Sequence, residues 1–156
     1  MQRAFADRLI DFCDRNAEKI ADQWYKALSV NPRTKSYRLM SKDGCLRHAT
    51  FLFRNLGQMY FAESCDNAVA RTLDTHGFVE DHFARGIPLN EIIYALILMR
   101  RHIWLCAEAE ILYYSSEDMI HAVDSINRVL LVFDYAVFEA AHKYSEIASK
   151  TGKVMV

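Results

Sequence analysis

The fold is decided by His82-Phe83-Ala84-Arg85-Gly86-Ile87-Pro88-Leu89, a stretch that predicts where one helix ends and the next begins. Gly86 can adopt the left-handed conformation that terminates a helix, and Pro88 suits the first turn of the following one. The second helix then carries an uninterrupted apolar run over 92–99. A helix that is apolar nearly all round belongs in the middle of a fold. We therefore expect 88–113 to be the most buried helix.

Within that helix we expect four apolar side chains to lie in the core: Ile93, Leu96, Ile97 and Ile103. His82, on the helix before it, follows Phe78 by four residues and Val79 by three, so it shares their apolar face. A titratable side chain aimed at a core is either a hydrogen-bonded core histidine or a ligand to something bound there. The function depends on which of these His82 is.

Composition indicates an ordinary globular protein. The chain has 156 residues, of which 52% are apolar and 25% are charged, with a formal net charge of −1. This length predicts one domain over 1–156. The interspersed charges argue against nucleic-acid binding. The apolar runs are too short for membrane insertion, and the N-terminus lacks a secretory signal, so we expect a cytoplasmic location.

The apolar spacing predicts helices almost throughout the chain. Steps of three and four residues mark 3–15 and 17–29, then a strong amphipathic helix over 44–63. The next helix starts at Ser64 or Asp66 and runs through Phe83. The last helix opens with a capping box at 115–118, and 148–156 is predicted to be a frayed tail. We expect an all-α bundle of five to seven helices.

Catalytic and metal-binding patterns are weak in this sequence. The four cysteines are scattered, without the close pairs that structural zinc needs. The pair Glu80-Asp81 is expected on a solvent face. His48 lies in unremarkable surroundings, and His76 stands six residues from His82, which is not the spacing of two ligands on one helix face. We therefore expect no enzyme and no metal site.

The last helix carries an apolar seam at alternating steps of three and four residues. Such a seam packs against a partner helix, either within the chain or across a dimer. We expect a homodimer whose contact includes Val123, Ile126, Leu130, Phe133 and Val137.

Several dispersed segments together resemble one known family. They are Ile20-Ala21-Asp22-Gln23-Trp24, Thr34 with Tyr37, the helix His48 to Phe61, Arg85-Gly86-Ile87-Pro88-Leu89 before an apolar helix ending in Arg100-Arg101, and Phe133-Asp134-Tyr135 before Tyr144. This combination resembles the RsbR/RsbRD-type N-terminal sensing domain of bacterial stressosome proteins and some histidine kinases.

The resemblance implies a globin-like bundle that usually lacks haem, dimerises through helices and takes part in stress-response signal transduction. The signal would pass from the last helix to an effector. Members of the family continue into a STAS or kinase module, whereas this chain ends soon after its last predicted helix. The signalling partner, of STAS, kinase or anti-sigma type, is therefore left open, as is a small-molecule ligand.

One departure from the family pattern raises a second hypothesis. In the related globin-coupled sensors, the haem-ligating histidine stands at the same offset before a glycine as His82 does before Gly86. The first alternative is therefore a haem-based gas or redox sensor, and the second is a helical adaptor without a ligand. The candidate pocket residues around His82 are Phe78, Phe51, Leu52, Asn55, Ile93, Tyr94 and Ile97.

Overall fold

The computed structural model describes residues 2–111 and 116–152, with side chains over 5–108 and 120–152. All regular structure in these residues is helical, which confirms the predicted all-α class. In chain order the elements are α1 (Gln2–Arg15), α2 (Ala17–Val30), a 3-10 segment (Pro32–Leu39), α3 (Lys42–Arg54), α4 (Leu56–Tyr60), α5 (Cys65–His76), α6 (Phe78–Ala84), α7 (Leu89–Ile111) and α8 (Ser116–Thr151).

Two of the predicted helices are each divided into two, which makes the helices more numerous than the five to seven expected. The predicted helix 44–63 breaks at Asn55, whose side-chain amide donates to the carbonyl of Phe51 at 2.8 Å. The helix predicted to run through Phe83 breaks at Gly77, which adopts a left-handed φ of 70°. The amide of Gly77 closes α5 by donating to the carbonyl of Leu73. The chain turns there, and α6 starts in a new direction.

The junction that the sequence places before the central helix is confirmed. Gly86 has a φ of 80°, and the amide of Ile87 donates to the carbonyl of His82 at 3.1 Å. Pro88 immediately precedes α7, and its carbonyl accepts from the amide of Ile92. The predicted end of this helix, 112–113, lies outside the described residues.

The core of the bundle lies along one side of α7. Leu96 and Ile103 are buried there as predicted, and the indole of Trp24 donates across from α2 to the carbonyl of Ala95 at 3.0 Å. Ile93 is half-buried. The prediction that Ile97 is core is wrong, because 38% of this residue is exposed. Consecutive residues of a helix point about 100° apart, and α1, α2 and α8 pack on α7 without covering Ile97.

α8 is the longest element and contacts α1, α4, α5, α6 and α7. Arg128 ties it to the end of α4 by donating to the carbonyls of Tyr60 and Ala62 at 2.9 and 3.0 Å. The frayed tail predicted over 148–156 is wrong in part, because the helix continues to Thr151, whose hydroxyl donates to the carbonyl of Ile147. Residues 153–156, and Ser115 of the predicted capping box, lie outside the described residues.

Among the residues that the structure describes, no helix combines the length and the apolar character that crossing a membrane requires.

Candidate functional site: a histidine cluster beside a cleft

His82 lies inside the protein, with 1% of its surface exposed. Its Nδ1 is 2.6 Å from the carbonyl oxygen of Phe78, one helical turn earlier. A carbonyl can only accept, so Nδ1 carries the hydrogen and Nε2 keeps its lone pair. The rings of Phe78, His48 and Tyr37 surround the imidazole, with centroids 4.3, 4.7 and 5.5 Å from its own.

Two further histidines and an aspartate form a chain of hydrogen bonds beside His82. His48 on α3 places its Nε2 2.6 Å from Oδ2 of Asp81, and its Nδ1 2.8 Å from Nε2 of His76. Asp81 and His82 are neighbours on α6, while His76 is the last residue of α5. We call His48, His76, Asp81 and His82 the histidine cluster.

The hydrogen bonds fix which nitrogen of each ring carries a hydrogen. The carboxylate of Asp81 can only accept, so Nε2 of His48 donates to it. Nδ1 of a neutral His48 then accepts, and Nε2 of His76 donates to it. These assignments follow from the hydrogen-bond network. The lone pair of His76 is therefore on Nδ1.

The electrostatics of the cluster keep its three imidazoles neutral. Burial lowers the pKa of His48 in spite of its bond to Asp81. Burial, followed by the neighbouring His48, lowers the pKa of His82 to about 3 and that of His76 to about 4. Burial would raise the pKa of Asp81, but hydrogen bonds from His48 and Arg85 outweigh it, and that pKa lies below its ordinary value.

His76 also lines an open cleft of about 610 Å³ beside α2 and α3. Its ring stacks on Phe51, with centroids 3.9 Å apart and planes 8° from parallel. We call this the His76 cleft; its other walls include Asp22, Asp43, Leu46, Arg47 and Asn55. The cluster thus reaches from the core at His82 to a surface cavity at His76.

The residues predicted to wall one pocket around His82 lie in different places. Phe78 contacts His82, and Leu52 is buried in the core. Phe51 and Asn55 line the His76 cleft instead. Three others are on α7: Ile93 is half-buried, Tyr94 lies under the guanidinium of Arg33, and Ile97 lines a groove between α7 and α8.

The tautomer of His82 suits a haem ligand, but the packing around the residue does not accommodate haem. The Nδ1 hydrogen bond to Phe78 gives the neutral imidazole with a free Nε2 that a metal ligand needs. Three aromatic rings pack around that imidazole, however, and only 1% of His82 is exposed. This packing leaves no room for a planar macrocycle beside the ring. We therefore assign no step to haem.

The predicted dimer residues of α8 also differ in where they lie. Phe133 is buried within its own chain, so it belongs to the core rather than to a dimer contact. Val123 is 58% exposed. Ile126 and Leu130 line the groove against α7, a cavity of about 350 Å³, and Val137 packs at the edge of the core.

Sequence reasoning missed the histidine cluster and placed Asp81 on a solvent face. His48 and His76 are 28 residues apart and stand on different helices, so helical spacing relates them to neither each other nor His82. The one local signal is Gly77, directly after His76, whose capacity for a left-handed φ could have marked the end of α5. The pairing itself is a product of tertiary structure.

Within the described residues, no group of three or more histidine, cysteine or acidic side chains is arranged to hold a metal ion. In comparisons with known proteins, no family model, curated protein or solved structure matches this chain.

Proposed function

We propose that this protein is a non-enzymatic, cytoplasmic signal-sensing domain that transmits through a helical homodimer, in the manner of the RsbR-type domains its sequence resembles. The proposal is supported above all by an uncovered apolar surface on α7 and α8. We call this surface the apolar stripe; it comprises Ile97, Trp104 and Leu105 of α7 with Ile120, Val123, Ile126, Leu130 and Phe138 of α8.

The stripe is unusual for the outside of a monomer. Phe138 and Val123 are 62% and 58% exposed, and the groove between the two helices is walled by Ile126 and Leu130. Large contiguous apolar patches on a soluble domain mark interaction sites. Arg100 and Asp134 lie 3.8 Å apart across the groove, and Arg101 also lines it, so charged side chains stand among the apolar residues of the stripe.

A second copy of this chain is the partner that the stripe favours. A two-fold interface places the same patch on both subunits, so an apolar helix pair meets an identical apolar helix pair. The arrangement also suits transmission, because α8 packs on five other helices and so registers rearrangements throughout the bundle. An effector of STAS, kinase or anti-sigma type would receive the signal from α8.

Sedimentation velocity at tens of micromolar tests the dimer. We expect the wild type to sediment as a dimer and the double variant Val123→Glu, Phe138→Glu to sediment as a folded monomer, because two charges per subunit would have to be desolvated. Val30→Glu is the matched control, since Val30 is an 81% exposed apolar residue on α2, outside the stripe.

A monomeric wild type would remove the dimer from the proposal. A dimer that survives the double variant would place the interface elsewhere on the molecule. A dimer that dissociates equally in Val30→Glu would show that added charge, rather than the stripe, controls association.

A further inference from the structure

His76 lines the cleft, and one of its two ring nitrogens has no hydrogen-bond partner among the described residues. Nε2 of His76 is engaged by His48, whereas Nδ1 makes no hydrogen bond to any residue that the structure describes. The tautomer assigned above places the lone pair on this Nδ1. His76 therefore offers the cleft a hydrogen-bond acceptor.

Asp81 determines the tautomer of His76 through His48, without contacting His76 itself. Its carboxylate accepts a hydrogen bond from Nε2 of His48, which favours the His48 tautomer with the hydrogen on Nε2. Nδ1 of His48 then accepts from Nε2 of His76, which favours the same tautomer for His76. Arg85 holds the same carboxylate through its Nε at 3.0 Å, which keeps Asp81 in place as the fixed end of the chain. The stack on Phe51 fixes the plane of the His76 ring.

Four of the five charged side chains that line the cleft form ion pairs, and the fifth is Asp43. Arg54 pairs with Glu18 at 3.0 Å, and Arg47 lies 3.6 Å from Asp81. Asp22 pairs with Lys26 at 3.3 Å. Because these four charges are compensated and Asp43 alone is left over, the cleft gives little preference to a strongly charged ligand. Leu46 and Phe51 provide apolar wall beside the acceptor nitrogen.

We propose that the His76 cleft binds a small, flat, uncharged molecule that donates one hydrogen bond to Nδ1 of His76. Phenols and neutral azoles belong to this class, since each combines a planar uncharged ring with a single O–H or N–H donor. The inference rests on the proposed sensing function, for which it supplies the chemical class of the input. Asp81 and His48 act as positioning residues, because they fix the tautomer without touching the ligand.

The experiment compares phenol with anisole, which is nearly the same molecule without the donor hydrogen. Both are titrated into the full chain and followed by amide chemical shifts. We expect phenol to shift the amide signals of Thr50, Asn55 and His76, which line the cleft. Anisole should bind about fivefold more weakly, as the loss of one net hydrogen bond predicts. Long-range proton–nitrogen spectra should show His76 and His48 with the hydrogen on Nε2, and His82 with it on Nδ1.

His76→Phe keeps the ring on Phe51 and removes the nitrogen. In this variant phenol and anisole should bind equally, whereas His142→Phe, which changes an exposed histidine on α8, should preserve the fivefold difference. Should His76→Phe fail to fold, the ligand comparison and the tautomer spectra of the wild type still decide the question.

Three results would overturn the proposal: equal affinity of the two ligands for the wild type, shifts that avoid the cleft, or a hydrogen on Nδ1 of His76. Sedimentation of the same samples separates this inference from the proposed function. If the protein is a dimer that does not bind phenol, the proposed ligand class is wrong and the proposed function stands. If it is a monomer that binds phenol, the ligand site stands and the proposed transmission through a dimer is wrong.

Discussion

Acidification should destabilise this protein while its carboxylates are still charged, because His82 is buried as a neutral imidazole. Its pKa falls from an ordinary 6.5 to about 3 in the folded protein, through burial and then the neighbouring His48. Between these two pKa values, the imidazole of His82 therefore binds a proton in the unfolded chain but not in the folded protein. The contribution of the neutral His82 to the free energy of unfolding is fully present above the pKa of the imidazole in the unfolded chain. It is lost as the pH falls from about 6.5 toward 3.

The magnitude at pH 5.0 follows from these two pKa values. An imidazole with a pKa of 6.5 is almost fully protonated there, whereas His82 with a pKa of about 3 remains neutral. The difference lowers the free energy of unfolding by about 2 kcal/mol between pH 7.5 and 5.0. His82 is 1% exposed, so solvent screening of this contribution is small.

The titratable and charged groups around His82 also affect how stability depends on pH. His48 and His76 also have lowered pKa values, so their contributions have the same sign, although His76 is partly exposed and contributes less. Arg85 opposes a charge on His82, and Asp81 favours one. The pKa of Asp81 itself is lowered from 3.8, so its contribution is lost only below the pH range considered.

Urea unfolding at pH 7.5, 6.5, 5.5 and 5.0 measures the effect. We expect the wild type to lose at least about 2 kcal/mol over this range and His82→Phe to lose about 2 kcal/mol less. His142→Phe, at an exposed position, should follow the wild type. Equal slopes in His82→Phe and the wild type would refute the argument. So would an NMR titration in which His82 of the folded protein protonates near pH 6.5.

Three other predictions concern the core, a turn and haem. Leu96→Asp should abolish the circular dichroism of the folded domain, because an unpaired buried charge costs several kcal/mol, whereas Ile97→Asp, one residue along and 38% exposed, should remain folded. Gly77→Ala should lower the unfolding free energy by about 1–2 kcal/mol in urea, since φ is 70° and an added Cβ meets no steric contact that could explain the loss otherwise. Hemin added to the purified protein should keep its free spectrum, and a Soret band abolished by His82→Phe would contradict the packing described around that ring.

The sequence predicted best those features that depend on a few neighbouring residues. The Gly86–Pro88 junction is local, and it lies where the pattern places it. Leu96 and Ile103 were predicted correctly, and they lie seven residues apart, about two helical turns, on the face of α7 that the other helices cover. Ile97 was not, since an apolar run alone does not tell which side of α7 the other helices leave uncovered.

The candidate site depended on geometry that no local pattern carries. Gly77 turns the chain between α5 and α6, and that turn places His76 and Asp81 on opposite sides of His48. Without the turn, 65–83 would be one helix, on which His76 and His82 point in different directions. The sequence identified His82 as an inward-facing histidine but gave no sign that two more imidazoles would lie within reach of it.

The same turn connects the cleft with the proposed output helix. α5 ends at His76 and α6 carries Asp81 and His82, and both helices pack directly on α8. A ligand that occupies Nδ1 of His76 fixes the tautomer of His48, which is bound to Asp81 on α6. Its binding energy therefore favours one relative placement of α5 and α6, the two helices that hold the cluster together. Because α8 packs on both and carries the apolar stripe, a preference for one placement would alter the proposed dimer without any direct contact between ligand and interface.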